Sequence, residues 1–250
     1  LCSNIQAQNH SQDFNFVNIK EGISKVGTYS ITQDHYGFIW ICTNGSGLYK
    51  FDGIDYKSYK YKIEDSTSLS SNLVFSSLLD KNNKLWIGTE DGLNFYNRDL
   101  DQFEKIPIGD TPQANISVLS IKEDIKGNLL IGTREFGLIK MNSETHEVQS
   151  VPSKDDSWPA INAIQVYNKT VFLGTSLGLR IIDETNNQII KPKIGFENLD
   201  MNLDTPIQYL ATDFNKNLWA GTYSNGLNKY IINESEIIDF QNYPISNKRI

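Results

Sequence analysis

Residues Asp80 to Leu93 read D-K-N-N-K-L-W-I-G-T-E-D-G-L, and the chain carries four further versions of this pattern. An aspartate opens a polar turn. A large apolar residue follows, then Ile, Leu or Ala, a small residue and Thr, and two or three turn residues precede Gly-Leu. The other copies run from Asp34 to Leu48, Asp124 to Leu138, Val166 to Leu179 and Asp213 to Leu227, the fourth being the most degenerate. The large apolar position falls at Trp40, Trp86, Leu130, Phe172 and Trp219, in steps of 46, 44, 42 and 47 residues. Thr43, Thr89, Thr133, Thr175 and Thr222 follow it by three residues every time.

Working outward from the second copy, each unit has room for four short strands. Val74 to Asp80 is a β-type run, Asn82-Asn83 turns, and Lys84 to Thr89 is a second strand. Glu90-Asp91-Gly92 turns the chain into Leu93 to Tyr96, and Gln102 to Ile106 supplies the fourth strand. The second strands, such as F-I-W-I-C-T and L-W-I-G-T-E, are apolar on both faces, as expected of a strand covered on both sides. Helical periodicity is not sustained anywhere. Four strands every ~45 residues is the period of a β-propeller blade.

The expected fold is therefore all-β: a propeller of four-stranded antiparallel blades at about 27–60, 73–107, 116–152, 161–191 and 206–243. Asn15 to Lys20 (N-F-V-N-I-K) reads as one more strand, the outer strand of a closing blade whose inner strands lie elsewhere. Unpaired edges are a liability, so five blades plus this strand at 14–20 read as an incomplete part of a seven-bladed ring, within a partial propeller spanning 14–250. Residues 1–13 read as a tail or signal-peptide remnant, with Ile5 and Ala7 placed as at a cleavage before Gln8.

The chain has 250 residues, 23 Lys plus Arg against 30 Asp plus Glu, and a net charge of −7. It has no basic stripe, so no nucleic-acid binding is expected through this segment. No stretch reaches the ~20 apolar residues of a membrane-spanning helix. Two Cys and three scattered His match no metal site, and neither a metal nor a cofactor is expected.

The pattern D-x-x-G-x-x-W-I-G-T-x-x-G-L, the aromatic pair Phe51 and Tyr56, and the linker S-L-S-S-N (Ser68 to Asn72) resemble the two-component regulator propeller repeat. The resemblance spans roughly 14 to 243, with weak spots at Val166 and Lys169. It implies a periplasmic sensor segment of a hybrid histidine kinase, followed in the parent chain by a β-sandwich, a membrane helix and kinase modules, with a homodimer as the full-length state. It also implies no enzymatic activity in these residues and an oligosaccharide as the ligand. A secreted propeller lyase or glycosidase and a protein-binding scaffold are the competing readings.

Function on a propeller resides in loops around the central channel. Turns after each Thr and the linkers to the next blade should share one face. Sugar recognition wants an aromatic platform beside amides, carboxylates or Arg. The candidate ligand residues are accordingly Asn44, Glu90, Arg134, Phe136, Trp158, Tyr223 and Asn225, with no catalytic residue among them. Trp40, Trp86 and Trp219 are expected in the inter-blade core. Asp34, Asp80, Asp124 and Asp213 should bond nearby backbone amides, and Cys42 should be a small buried residue. The adjacent pairs Glu90-Asp91 and Asp155-Asp156 are poor glycosidase candidates, since neighbours in a turn usually point apart.

Overall fold

Each repeat folds into one antiparallel sheet. The computed structural model describes residues 27–109, 115–154, 158–183, 186–195 and 203–244. Blade one holds β1 (Thr28–Gln33), β2 (Ile39–Thr43), β3 (Leu48–Phe51) and β4 (Tyr56–Tyr59). Blade two holds β5 (Val74–Leu79), β6 (Leu85–Thr89), β7 (Gly92–Asn97) and β8 (Gln102–Ile106). Blade three comprises β9 (Val118–Glu123), β10 (Asn128–Thr133), β11 (Leu138–Asn142) and β12 (Val148–Val151). Blade four comprises β13 (Ile161–Tyr167), β14 (Thr170–Thr175), β15 (Gly178–Asp183) and β16 (Gln188–Ile190). A short β17 (Lys193–Ile194) precedes blade five, which consists of β18 (Ile207–Thr212), β19 (Leu218–Thr222), β20 (Leu227–Asn233) and β21 (Glu236–Tyr243).

The four strands of each blade follow chain order, and the expected strands of the second repeat are matched to within a residue or two. One feature is new. β17 adds to the outer edge of blade five, pairing in parallel with Glu236 and Ile237 of β21. The proposed strand at 14–20 and the tail at 1–13 lie outside the described residues.

The innermost strands β1, β5, β9, β13 and β18 pack side by side in succession. The seams between blades are the core. Trp40 and Cys42 of β2 face Leu85 and Ile87 of β6 in one cluster, and Trp86 faces Leu129 and Ile131 of β10 in the next. Successive residues of a strand point to opposite faces, so a second strand clamped between neighbours is apolar throughout. β6 is buried at all five positions. β19 differs: Leu218 and Ala220 are buried against blade four, while Trp219 is only half-buried. The expectation of a fully buried Trp219 fails for a physical reason. Its indole projects from the far face of blade five, where no further blade packs among the described residues. On the opposite end, Ile39, Ile41, Tyr49 and Tyr56 form a separate cluster on the face of blade one turned away from blade two.

The repeating Asp and Trp are chemically linked. Asp80 Oδ1 accepts hydrogen bonds from the amides of Asn82 and Lys84, and its Oδ2 accepts one from Trp86 Nε1 at 2.9 Å. The same pairing joins Asp34 to Trp40 (2.9 Å) and Asp213 to Trp219 (2.8 Å). The amide bonds were expected; the indole bond was not. It satisfies the donor of a buried ring that would otherwise cost free energy. Where Leu130 replaces the Trp, Asp124 instead binds Lys140 at 2.8 Å, and where Val166 replaces the Asp the ring is Phe172, which has no donor.

Between blades one and two, Asp101 gathers Lys57, Tyr59 (2.6 Å) and Tyr96 (2.5 Å) onto one carboxylate. Desolvation opposes its ionisation, but these three donors outweigh it and hold the pKa at about 2. An unfolded aspartate titrates near ~4. The folded value is depressed, so this stabilisation is complete above pH ~4 and is lost as pH falls toward 2. Urea midpoints measured from pH 6 down to pH 2.5 should therefore fall through that window. Asp101→Asn should be less stable at pH 6 and show a shallower fall; parallel curves for the two proteins would remove Asp101 from the account.

Cys42 is buried, and desolvation, partly offset by hydrogen bonds from Ser77 and Ser30, pushes its thiol up to about 12. It fills space in the first seam and is no nucleophile.

Candidate ligand site at the channel mouth

The recurring threonine builds the turns at one end of the arc. In blade three, Thr133 Oγ1 donates to Gly137 O at 2.9 Å and accepts from the amide of Phe136 at 2.9 Å. Thr43, Thr89, Thr175 and Thr222 make the same pair of bonds in their own turns. The residue after each Thr then donates its amide to the residue just before the innermost strand, as Arg134 does to Ser117 and Glu90 to Leu73. Turns and linkers therefore do share one end of the blades. The S-L-S-S-N linker is tied there by Ser70, whose hydroxyl meets Thr89 Oγ1 (2.8 Å) and Asn94 Nδ2 (2.7 Å).

All five innermost strands are bulged at the same place. The pairing skips one residue between Thr28 and Ser30, Val74 and Ser76, Val118 and Ser120, Ile161 and Ala163, and Ile207 and Tyr209. A bulge re-aims the extra side chain. The skipped residues are Tyr29, Phe75, Leu119, Asn162 and Gln208, and all five line a central cavity of about 770 Å³. Tyr29 meets Phe75 edge-on at 5.3 Å between centroids, and the Arg134 guanidinium lies 5.3 Å from the Phe75 centroid. Asn162 is fixed by donating to Ile207 O at 2.8 Å. Glu135 holds the blade-three turn by accepting from the amide and hydroxyl of Ser117. Deeper in, Thr32 and Ser77 share a 2.7 Å bond.

Among the described residues lining the cavity, Arg134 and Lys122 are cationic and no Asp, Glu or His occurs. The channel of an acidic chain is thus locally positive. Among the described residues, no group of three or more His, Cys, Asp or Glu is placed to hold a metal ion.

Of the seven residues singled out by sequence, Arg134 alone lines this cavity. Asn44, Glu90, Tyr223 and Asn225 lie on exposed turns of their own blades. Phe136 is 47% exposed beside Arg134, and the half-exposed Trp158 packs its ring against Gly137 of the same turn. The structure so brings Arg134, Phe136 and Trp158 to one corner and leaves the other four apart from it. Asp155 and Asp156 lie outside the described residues. The sequence reading missed the bulge residues, because they sit inside strands and share no residue type.

Five bulged inner strands, a cavity lined by aromatic, amide and cationic groups, and bonded turns at one end define the channel side of a β-propeller. The family described as Two component regulator propeller matches residues 68–91, so the motif in blade two is a two-component regulator propeller repeat, as its resemblance implied. The extracellular domain of a hybrid two component system from B. thetaiotaomicron shares the fold with a TM-score of 0.72 and 24% identity, covering 90% of this chain and 31% of that chain. PorZ, a surface component of the type-IX secretion system of Porphyromonas gingivalis, shares it with a TM-score of 0.65 and 17% identity, over 89% of this chain and 34% of that one. Histidine kinase P4 of Formosa agariphila is 39% identical over 70 residues, which is 28% of this chain and 5% of that protein. The chain spans about a third of these solved relatives and a small fraction of the kinase.

Proposed function

We propose that the chain is the extracytoplasmic recognition propeller of a two-component sensor and that it takes an oligosaccharide at the channel mouth. The observation that carries this reading is the bulge ring. Tyr29 and Phe75 offer aromatic faces, Asn162 and Gln208 offer amides, and Arg134 stands over Phe75. Sugar rings want such a mixture of apolar face and directed polar groups. The two cations, with no carboxylate among the described lining residues, favour sugars that carry acidic groups. A glycosidase would need a pair of carboxylates ~5–10 Å apart, and the described lining residues include no Asp or Glu. The matched repeat, the extracellular sensor domains of like fold and the kinase stretch support the sensor role and a periplasmic setting. In this reading, further blades cover Trp219 and the Ile41–Tyr49 face to complete a ring of seven. A β-sandwich, a membrane helix and kinase modules follow in a homodimeric parent chain. Ligand contact favours one of two arrangements of propeller and downstream parts, by no more than its differential affinity for them.

Calorimetry of the chain against neutral and uronate-bearing oligosaccharides tests the ligand. Binding of at least one should weaken ~tenfold or more in Phe75→Ala and Arg134→Ala and persist in Phe214→Ala, whose side chain is fully exposed. No binding across the panel, or binding indifferent to both channel variants, would reject the proposal.

A further inference from the structure

The blade-three to blade-four seam departs from the repeat twice at one spot. Leu130 stands where blades one, two and five have Trp, and Val166, across the seam, stands where the other four blades have Asp. The first two seams are filled at this end. Arg98 crosses from blade two to Asp34 at 2.7 Å while Tyr96 packs edge-on to Trp40 at 4.8 Å. His146 of blade three lies 5.9 Å from the Trp86 ring, and Lys84 donates to Ser143 O at 3.1 Å. No such crossing group fills the third seam among the described residues. A cavity of about 320 Å³ lies there instead.

Leu130, Val166 and Val171 contribute an apolar floor, and Lys126, Lys140 and Lys169 contribute ammonium groups at the rim. Lys140 is committed to Asp124 at 2.8 Å. Lys126 and Lys169 have no ion-pair partner among the described residues. Three cations against one carboxylate leave the rim positive on a chain of net charge −7. The volume is within the ~300–1,000 Å³ of small-molecule sites.

We propose that this seam pocket binds a small amphiphilic anion. Its aryl or alkyl body occupies the space that an indole fills in the first two seams, and its carboxylate, sulfate or phosphate sits between Lys126 and Lys169. The site lies at the opposite end of the blades from the channel mouth and does not depend on the oligosaccharide reading. An apolar void gives affinity and the lysines select charge.

The test titrates the 250-residue chain with 2-naphthalenesulfonate and its neutral analogue 2-naphthalenemethanol, by calorimetry and by amide shifts in the ¹⁵N-labelled protein. Saturable binding of the sulfonate is expected, with shifts centred on Lys126, Val166 and Lys169. The neutral compound and the Lys126→Ala/Lys169→Ala variant should each be ~fivefold or more weaker. Leu130→Trp restores the residue type of the repeat and should abolish binding, while Arg134→Ala should leave it unchanged. Absent saturation, equal binding of the neutral analogue, or loss of binding in Arg134→Ala overturns the proposal. If circular dichroism finds Leu130→Trp unfolded, the double lysine variant decides alone, and its binding as wild type overturns the proposal.

Discussion

Trp86→Ala is expected to destabilise the chain by about 3–5 kcal/mol, the range for truncating a fully buried aromatic. Trp86 is wholly inaccessible, sits in the seam between blades two and three with Leu129 and Ile131, and packs on Phe95 and His146. The truncation opens a void and also strips Asp80 Oδ2 of its indole donor, leaving a buried carboxylate oxygen short of a partner. Two comparisons make the cause visible. Trp219→Ala removes the same residue of the same motif from a half-buried site and should cost distinctly less. Trp158→Ala removes a half-exposed ring and should change stability by ~1 kcal/mol or less. Chemical denaturation of the three variants measures the order. Equal losses would mean that seam burial is not what the repeated tryptophan supplies.

The glycine of the W-I-G-T motif should separate the blades just as sharply. Gly132→Ala is expected to cost about 2–4 kcal/mol, combining overpacking with a disturbed hydrogen bond. A Cβ there would lie 2.6 Å from the Ile161 carbonyl oxygen of the next blade and 2.3 Å from Ser120 Oγ, which itself donates to that carbonyl at 3.0 Å. Backbone cannot move aside as a long side chain can. Gly221 occupies the same place in blade five, yet the nearest atom to its Cβ is Tyr209 Cβ at 3.7 Å. Gly221→Ala should therefore fall within ~0.5 kcal/mol of wild type. Neither glycine adopts a positive φ, so the contrast isolates contact with the following blade from backbone freedom. A similar loss at both positions would point to an intrinsic strand effect instead.

Much of the blade architecture was legible because its causes are local or periodic. Turn residues, two-sided apolar strands and a threonine with both a donor and an acceptor recur at fixed offsets. Each offset corresponds to a bond within one blade. The role of Cys42 followed from its place among glycines. The candidate site was legible only in part: Arg134 was found because turns announce themselves, whereas Tyr29, Phe75, Asn162 and Gln208 were not. Their exposure to the channel comes from a bulge, and a bulge is set by how β1 or β5 registers on its partner rather than by residue type.

The sequence alone determined that this protein is made of four-stranded blades in series, since a motif repeated every ~45 residues can bury its apolar faces only against its neighbours. Tertiary structure decided what lies between and within those blades. It set the bulge ring aimed into the channel, the β17 edge on blade five, the half-open position of Trp219, and the cavity where Leu130 and Val166 meet across a seam. The bulges depend on how neighbouring strands register, and the β17 edge and the seam cavity on groups about 40 residues apart coming together; a pattern read along one strand carries no record of what faces it.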